Sequence, residues 1–70
     1  MDTFLRRLGK QLRGFRMVAG LSQEELAEQA GLHRNYIGGI ERGERNPTIT
    51  SLRKLAKALG VSLPKIFEGL

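Results

Sequence analysis

Apolar residues recur along this chain at intervals of three and four, the period of a helix with one buried face. In residues 2 to 19 the stripe is Leu5, Leu8, Leu12, Phe15 and Ala19, with Arg6, Lys10, Arg13 and, in part, Arg7 on the other faces. The spacing predicts a first helix capped by Asp2 or Thr3 and stopped at Gly20, and the negative Asp2 suits the positive helix end. Gly9 and Gly14 interrupt it at about 1 kcal/mol each relative to alanine. Close packing of a neighbouring helix explains either, and the pattern does not say which.

Ser22-Gln23-Glu24-Glu25 is a capping-box pattern that opens a second helix. There the Ser22 hydroxyl can accept a free N–H of the first turn while Glu25 accepts the Ser22 N–H. Leu26, Ala27 and Ala30 follow at helical spacing, and Gly31 stops the helix where a left-handed residue is wanted. After Gly31-Leu32-His33 a third helix begins, with Ile37 and Ile40 inward and Arg34, Asn35, Tyr36 and Gly39 outward, and Gly43 ends it. Asn46-Pro47 blocks its continuation, so residues 44 to 48 read as a loop. Thr48 or Thr50 caps a fourth helix, whose Leu52, Leu55, Ala56 and Leu59 face inward and which Gly60 ends. Ser62 caps a short fifth helix with Pro64 in its first turn, where a missing N–H costs nothing. No strand pattern, repeat or linker is present. The expectation is an all-α, compact five-helix domain spanning residues 1–70.

Composition narrows the chemistry. Twelve basic residues against seven acidic give a net charge of +5 in 70 residues, with a pI near 10.5. That excess favours a polyanionic partner, nucleic acid before membrane. Cysteine is absent, so disulfides and thiolate metal sites are excluded and a cytoplasmic location is the default expectation. No apolar run approaches the roughly 18 residues of a spanning helix. The single His33 has no neighbouring Asp or Cys for a catalytic triad, and one histidine without cysteine does not make a metal site. The expectation is therefore no enzyme, cofactor or metal.

Helices two and three, joined by a short glycine turn, make a helix-turn-helix unit whose second helix can enter a DNA major groove. The stretch resembles the Cro and phage-repressor family, also called the xenobiotic-response-element family. The resemblance lies in Gly20-Leu21-Ser22-Gln23-Glu24-Glu25-Leu26-Ala27, Ala30-Gly31-Leu32, Tyr36-Ile37, Ile40-Glu41-Arg42-Gly43 and Arg45-Asn46-Pro47. It continues through Leu52, Leu55-Ala56 and Ala58-Leu59-Gly60-Val61-Ser62 to Ile66-Phe67. It implies a domain of the lambda-repressor-like DNA-binding type.

On that resemblance Gln23 meets a phosphate at the start of helix two. Arg34 can fork onto guanine, Asn35 onto adenine, and Tyr36 can pack on a thymine methyl or reach a phosphate. The plain alternatives are a helix-start role for Asn35 and a half-buried ring for Tyr36. His33 stands where the family often has a serine or threonine cap and is a poorer cap, with phosphate contact as the alternative. Gly38-Gly39 departs from the pattern: at Gly39 many members carry a longer base-reading residue, so less direct contact and closer backbone approach are expected, shifting the burden to DNA shape. For Gly38 a tight helix crossing is the competing reading. Arg45, and less clearly Arg42, flank the loop that passes the sugar-phosphate backbone. Arg16 and Glu41 correspond to a partly buried ion pair between helices one and three.

Leu63, Ile66, Phe67 and Leu70 are more apolar residues than a two-turn helix can direct at the core. The surplus is a candidate homodimer contact, the alternative being an ordinary core-closing helix. The whole reading is a sequence-specific, homodimeric regulator of palindromic double-stranded DNA, cytoplasmic and nucleoid-associated, with no membrane or small-molecule partner. With no sensing segment in these residues, control by concentration and promoter occupancy is expected. Within the family, Tyr36-Ile37-x-Gly39-Ile40-Glu41-Arg42 and Arg45-Asn46 resemble the restriction-modification controller branch. A phage or plasmid repressor or a toxin–antitoxin regulator is the rival there, and a basic helical protein-interaction module is the rival of another class.

Overall fold

The structure is a computed structural model describing residues 3–70; the proposed Asp2 cap lies outside them. The elements run α1 (Thr3–Val18), α2 (Gln23–Ala30), α3 (Arg34–Glu41), α4 (Ile49–Leu59) and α5 (Leu63–Phe67). Helix α3 packs on α1 and α2, α4 packs on α2, and α5 closes the remaining side between α1 and α4. Leu26, Ile37, Ile40, Leu55 and Ile66 are the largest fully buried side chains, joined in one core by Leu8, Leu12, Ala27, Ala30, Leu52 and Ala56.

The helix starts follow from their caps. Ser22 Oγ accepts the Glu25 N–H at 3.0 Å while Glu25 Oε1 accepts the Ser22 N–H at 2.9 Å. The Ser22 N–H, and after it the Ser22 side chain, favours the ionised Glu25 carboxyl and lowers its pKa from the ordinary value. Thr48, not Thr50, caps α4, its Oγ1 accepting the Ser51 N–H at 3.0 Å. Ser62 Oγ accepts the Lys65 N–H at 3.3 Å, with Pro64 in the first turn of α5.

One expectation for the helices needs correction. Ala19 lies past the end of α1 and is exposed; Leu8 and Leu12 are buried, and Leu5 and Phe15 are half-buried. Helix α3 runs to Glu41 with Arg42 as its C-cap, and Gly43 ends it as expected, its N–H donating to the Ile40 carbonyl at 3.0 Å while that of Glu44 donates to the Gly39 carbonyl at 2.8 Å. Gly43 takes φ +76° and lies so close to α1 that a Cβ there would stand 2.7 Å from Arg6 Cγ. Any side chain at this position would meet both a strained backbone and a blocked space.

Where α1 crosses α3, Gly9 is the contact. A Cβ on Gly9 would overlap the Ile40 carbonyl oxygen and lie 2.6 Å from that of Glu41, whereas Gly14 has nothing within 4 Å. Beside this crossing Arg16 and Glu41 form a bidentate ion pair, Nε to Oε2 at 2.7 Å and NH2 to Oε1 at 3.0 Å. The side chains are only 13% and 4% exposed. Arg16 NH1 donates to the Leu21 carbonyl at 2.8 Å, so one guanidinium ties α3 and the α1–α2 turn to α1. Hydrogen bonding to Glu41 raises the Arg16 pKa further, against the opposing effect of burial.

The chain end is held by α1. Gln11 Nε2 donates to the carbonyls of Ile66 at 3.2 Å and Glu68 at 2.7 Å, and Arg7 NH2 donates to that of Gly69 at 2.9 Å. Among the described residues no helix is long and apolar enough to cross a membrane.

The glycines of α1 are expected to respond oppositely to alanine. Gly14→Ala should stabilise by about 1 kcal/mol, while Gly9→Ala should destabilise by about 1–3 kcal/mol or more because its methyl meets backbone. Urea denaturation of the two variants measures both. Glu41→Ala strands the buried Arg16 charge and should cost about 3–5 kcal/mol, read as a fall in the thermal midpoint.

Candidate nucleic-acid interface

The turn between α2 and α3 sets the candidate surface. Gly31, at φ +68°, lets the chain reverse, and half-buried Leu32 donates its N–H to the Ala27 carbonyl at 2.9 Å. His33 takes the extended N-cap conformation but makes no side-chain cap bond, and its ring is exposed. Burial of Ile37 and Ile40 then fixes the rotation of α3, which leaves Arg34 and Asn35 exposed at its N-terminal end. A groove runs from there to the start of α2, lined by Arg16, Ser22, Gln23, Glu24, Arg34, Asn35, Gly38 and Arg42.

The side chains in this groove are organised by acids. Gln23 Nε2 donates to Glu41 Oε1 at 3.0 Å, so α2 joins the ion pair that holds α1 to α3. Arg34 NH1 donates to Glu24 Oε1 at 2.7 Å, and Arg42 Nε stands 3.1 Å from Glu44 Oε1. Both pairs are largely solvent-exposed. Sequence reasoning passed over Glu24 and Glu44 because a carboxylate in the first turn of a helix, or in a loop, is the usual solvated residue. Arg34 across the turn from Glu24, and Arg42 two residues before Glu44, are the signal that would have found them.

Three expectations change here. Tyr36 does not project freely: it is half-buried against the core, and its hydroxyl accepts the Thr48 N–H at 3.3 Å, linking α3 to the cap of α4. Gly38 is not a helix crossing, since a Cβ there would meet Arg42 NH1 at 3.0 Å and Gln23 Oε1 at 3.4 Å. Gly39 is buried, not bare: its missing Cβ would lie 2.6 Å from Arg45 Cγ. The Arg45 side chain therefore lies across α3 where a residue at 39 would stand, while the Glu44 and Arg45 N–H groups donate to the Gly39 carbonyl at 2.8 and 3.3 Å.

The four apolar residues near the C-terminus do not share one patch. Ile66 is fully buried and belongs to the core, because the turn that Ser62 caps directs it between α1 and α4. Leu63 lines a groove with Arg53, Ala56, Lys57 and Val61, whereas Leu70 lines another with Gln11, Gly14, Phe15 and Val18. Phe67 is half-buried against the core.

Comparison with known proteins agrees with this geometry. A family described as helix-turn-helix matches residues 12–66. The control protein C.SmaI of Serratia marcescens is 54% identical over 59 residues, covering 84% of this chain and 70% of its own length. The control protein C.BamHI of Bacillus amyloliquefaciens is 46% identical over 54 residues, covering 76% of this chain and 67% of its own. The crystal structure of the restriction-modification controller protein C.AhdI from Aeromonas hydrophila superposes with a TM-score of 0.89 at 46% identity, covering 90% of this chain and 96% of that one. With the match spanning most of its length and the five-helix frame shared, the chain belongs to the helix-turn-helix family of non-enzymatic, DNA-binding transcription regulators, alongside the controller proteins to which it is similar.

Proposed function

We propose that this protein is a cytoplasmic, nucleoid-associated homodimer that controls restriction-modification genes by reading a palindromic operator. The observation that carries the reading is the exposed pair Arg34 and Asn35 at the N-terminal end of α3, beside the first turn of α2. In that position the α3 end enters the major groove and the α2 end faces the sugar-phosphate backbone. Arg34 forks onto guanine O6 and N7, and Asn35 pairs with adenine N6 and N7. The second N–H of the Gln23 amide and the free backbone N–H groups of α2 meet a phosphate. Arg45, Arg42 and His33 add backbone contacts around them. The glycines at 38 and 39 leave few side chains for direct readout, so sequence-dependent DNA deformability supplies part of the discrimination. Similarity to control proteins favours the restriction-modification role over a phage repressor or an antitoxin.

Selection from a randomised duplex pool at about 150 mM salt should enrich a palindrome. Against it, Arg34→Ala should lose about 1–3 kcal/mol and relax preference at one base pair. Arg45→Ala should weaken binding to every sequence and reduce the salt slope by about one. Retention without enrichment, vanishing as salt rises, would show charge-driven binding alone and defeat the regulator reading. Glutamate at Leu63 or at Leu70 should separate the two apolar grooves: sedimentation of each variant will show dissociation for the one that carries the homodimer contact.

A further inference from the structure

The base-reading end of α3 is not an open cationic surface. Arg34 is bound by Glu24 from the opposite helix through one nitrogen only, NH1, at 2.7 Å. A guanidinium carries five N–H donors in a planar fork, so this single bond orients the plane and leaves the others available. Both side chains are mostly in solvent, 64% and 70% exposed, where an ion pair adds little to folding stability. Stability is therefore not what the contact supplies. Its position is informative instead: Glu24 places a negative charge in the groove that also holds Gln23, Asn35 and Arg42, the face assigned above to DNA.

We propose that Glu24 is a specificity-determining residue that suppresses non-specific DNA binding by this protein. Its carboxylate compensates the Arg34 charge and repels phosphate, so Arg34 contributes little to the sequence-independent, counterion-driven affinity. The same carboxylate holds the guanidinium fork oriented, and a guanine edge accepts from the remaining donors. Affinity is thus withheld on random sequence and released on the operator. Discrimination comes from a repulsive element as well as an attractive one. The proposal rests on Arg34 reading a base.

The test uses the full chain, the duplex enriched by selection and a scrambled duplex of the same length and composition. Glu24→Gln should bind the scrambled duplex about 3- to 10-fold more tightly, and the slope of log affinity against log salt should steepen there by about 0.9. Affinity for the enriched duplex should stay level or fall, so the specificity ratio drops. Glu28→Gln, on the same helix outside the groove and with the same change in net charge, sets the baseline. In an Arg34→Ala background Glu24→Gln should lose most of its effect, the signature of a coupled pair. Equal changes in Glu24→Gln and Glu28→Gln would overturn the proposal while leaving base reading by Arg34 intact. An enriched duplex that Arg34→Ala binds with undiminished preference would overturn base reading itself, and the proposal with it.

Discussion

The fold depends on the Glu41 carboxylate. It sits at the end of α3, almost wholly buried, and is shared by Arg16 of α1 and Gln23 of α2. Burying a charge in so small a domain is costly unless every lone pair is met. Here the guanidinium is satisfied in turn by the Leu21 carbonyl, and among the described residues no buried side-chain nitrogen or oxygen lacks a partner. A domain of this size has a total stability on the order of 5–10 kcal/mol, so the network is a large fraction of what keeps the three helices in register. The apolar core decides that the helices collapse together. This polar junction decides the angle at which α3 leaves the body.

The same junction links folding to recognition. Gln23 is held by the carboxylate that secures α3, so the first turn of α2 is tied to the far end of the helix whose other end carries Arg34 and Asn35. Around it the arginines facing the groove are answered by acids, Arg34 by Glu24 and Arg42 by Glu44. The net charge of +5 is consequently felt most on other faces: the solvent side of α1, with Arg6, Arg7, Lys10 and Arg13, and α4, with Arg53, Lys54 and Lys57. A long-range field draws the protein to a polyanion, and the recognition surface adds short-range chemistry.

The helices were legible because an apolar period runs through them and side-chain caps agree with it at α2, α4 and α5. Ser22-x-x-Glu25, Gly31, Ser62 and Pro64 act locally, and local signals survive in sequence. The resemblance pointed to the Arg16–Glu41 pair between α1 and α3, but which glycine makes their crossing was not legible at the same level. Gly9 and Gly14 look alike as text, and only the crossing distinguishes them. Tyr36 and Ile66 show the complementary difficulty: each sits on a face that helical periodicity leaves ambiguous. Tyr36 is pulled inward by the Thr48 N–H, and Ile66 by the gap between α1 and α4. The Arg34–Glu24 pair joins residues ten apart, brought together by a reversal whose tightness the sequence implies but whose facing pairs it does not name.

The arrangement over Gly39 constrains how such a protein can change its target. The space above that backbone holds one side chain, and Arg45 occupies it from the loop. A larger residue at 39 would fill the same volume and turn Arg45 away, so that the loop side chain and a side chain at 39 exclude one another. Positions 39 and 45 therefore behave as a single coordinate in sequence space. If the proposed DNA contact runs through either position, a change at one calls for a compensating change at the other. Drift between operators along this route should proceed in paired steps.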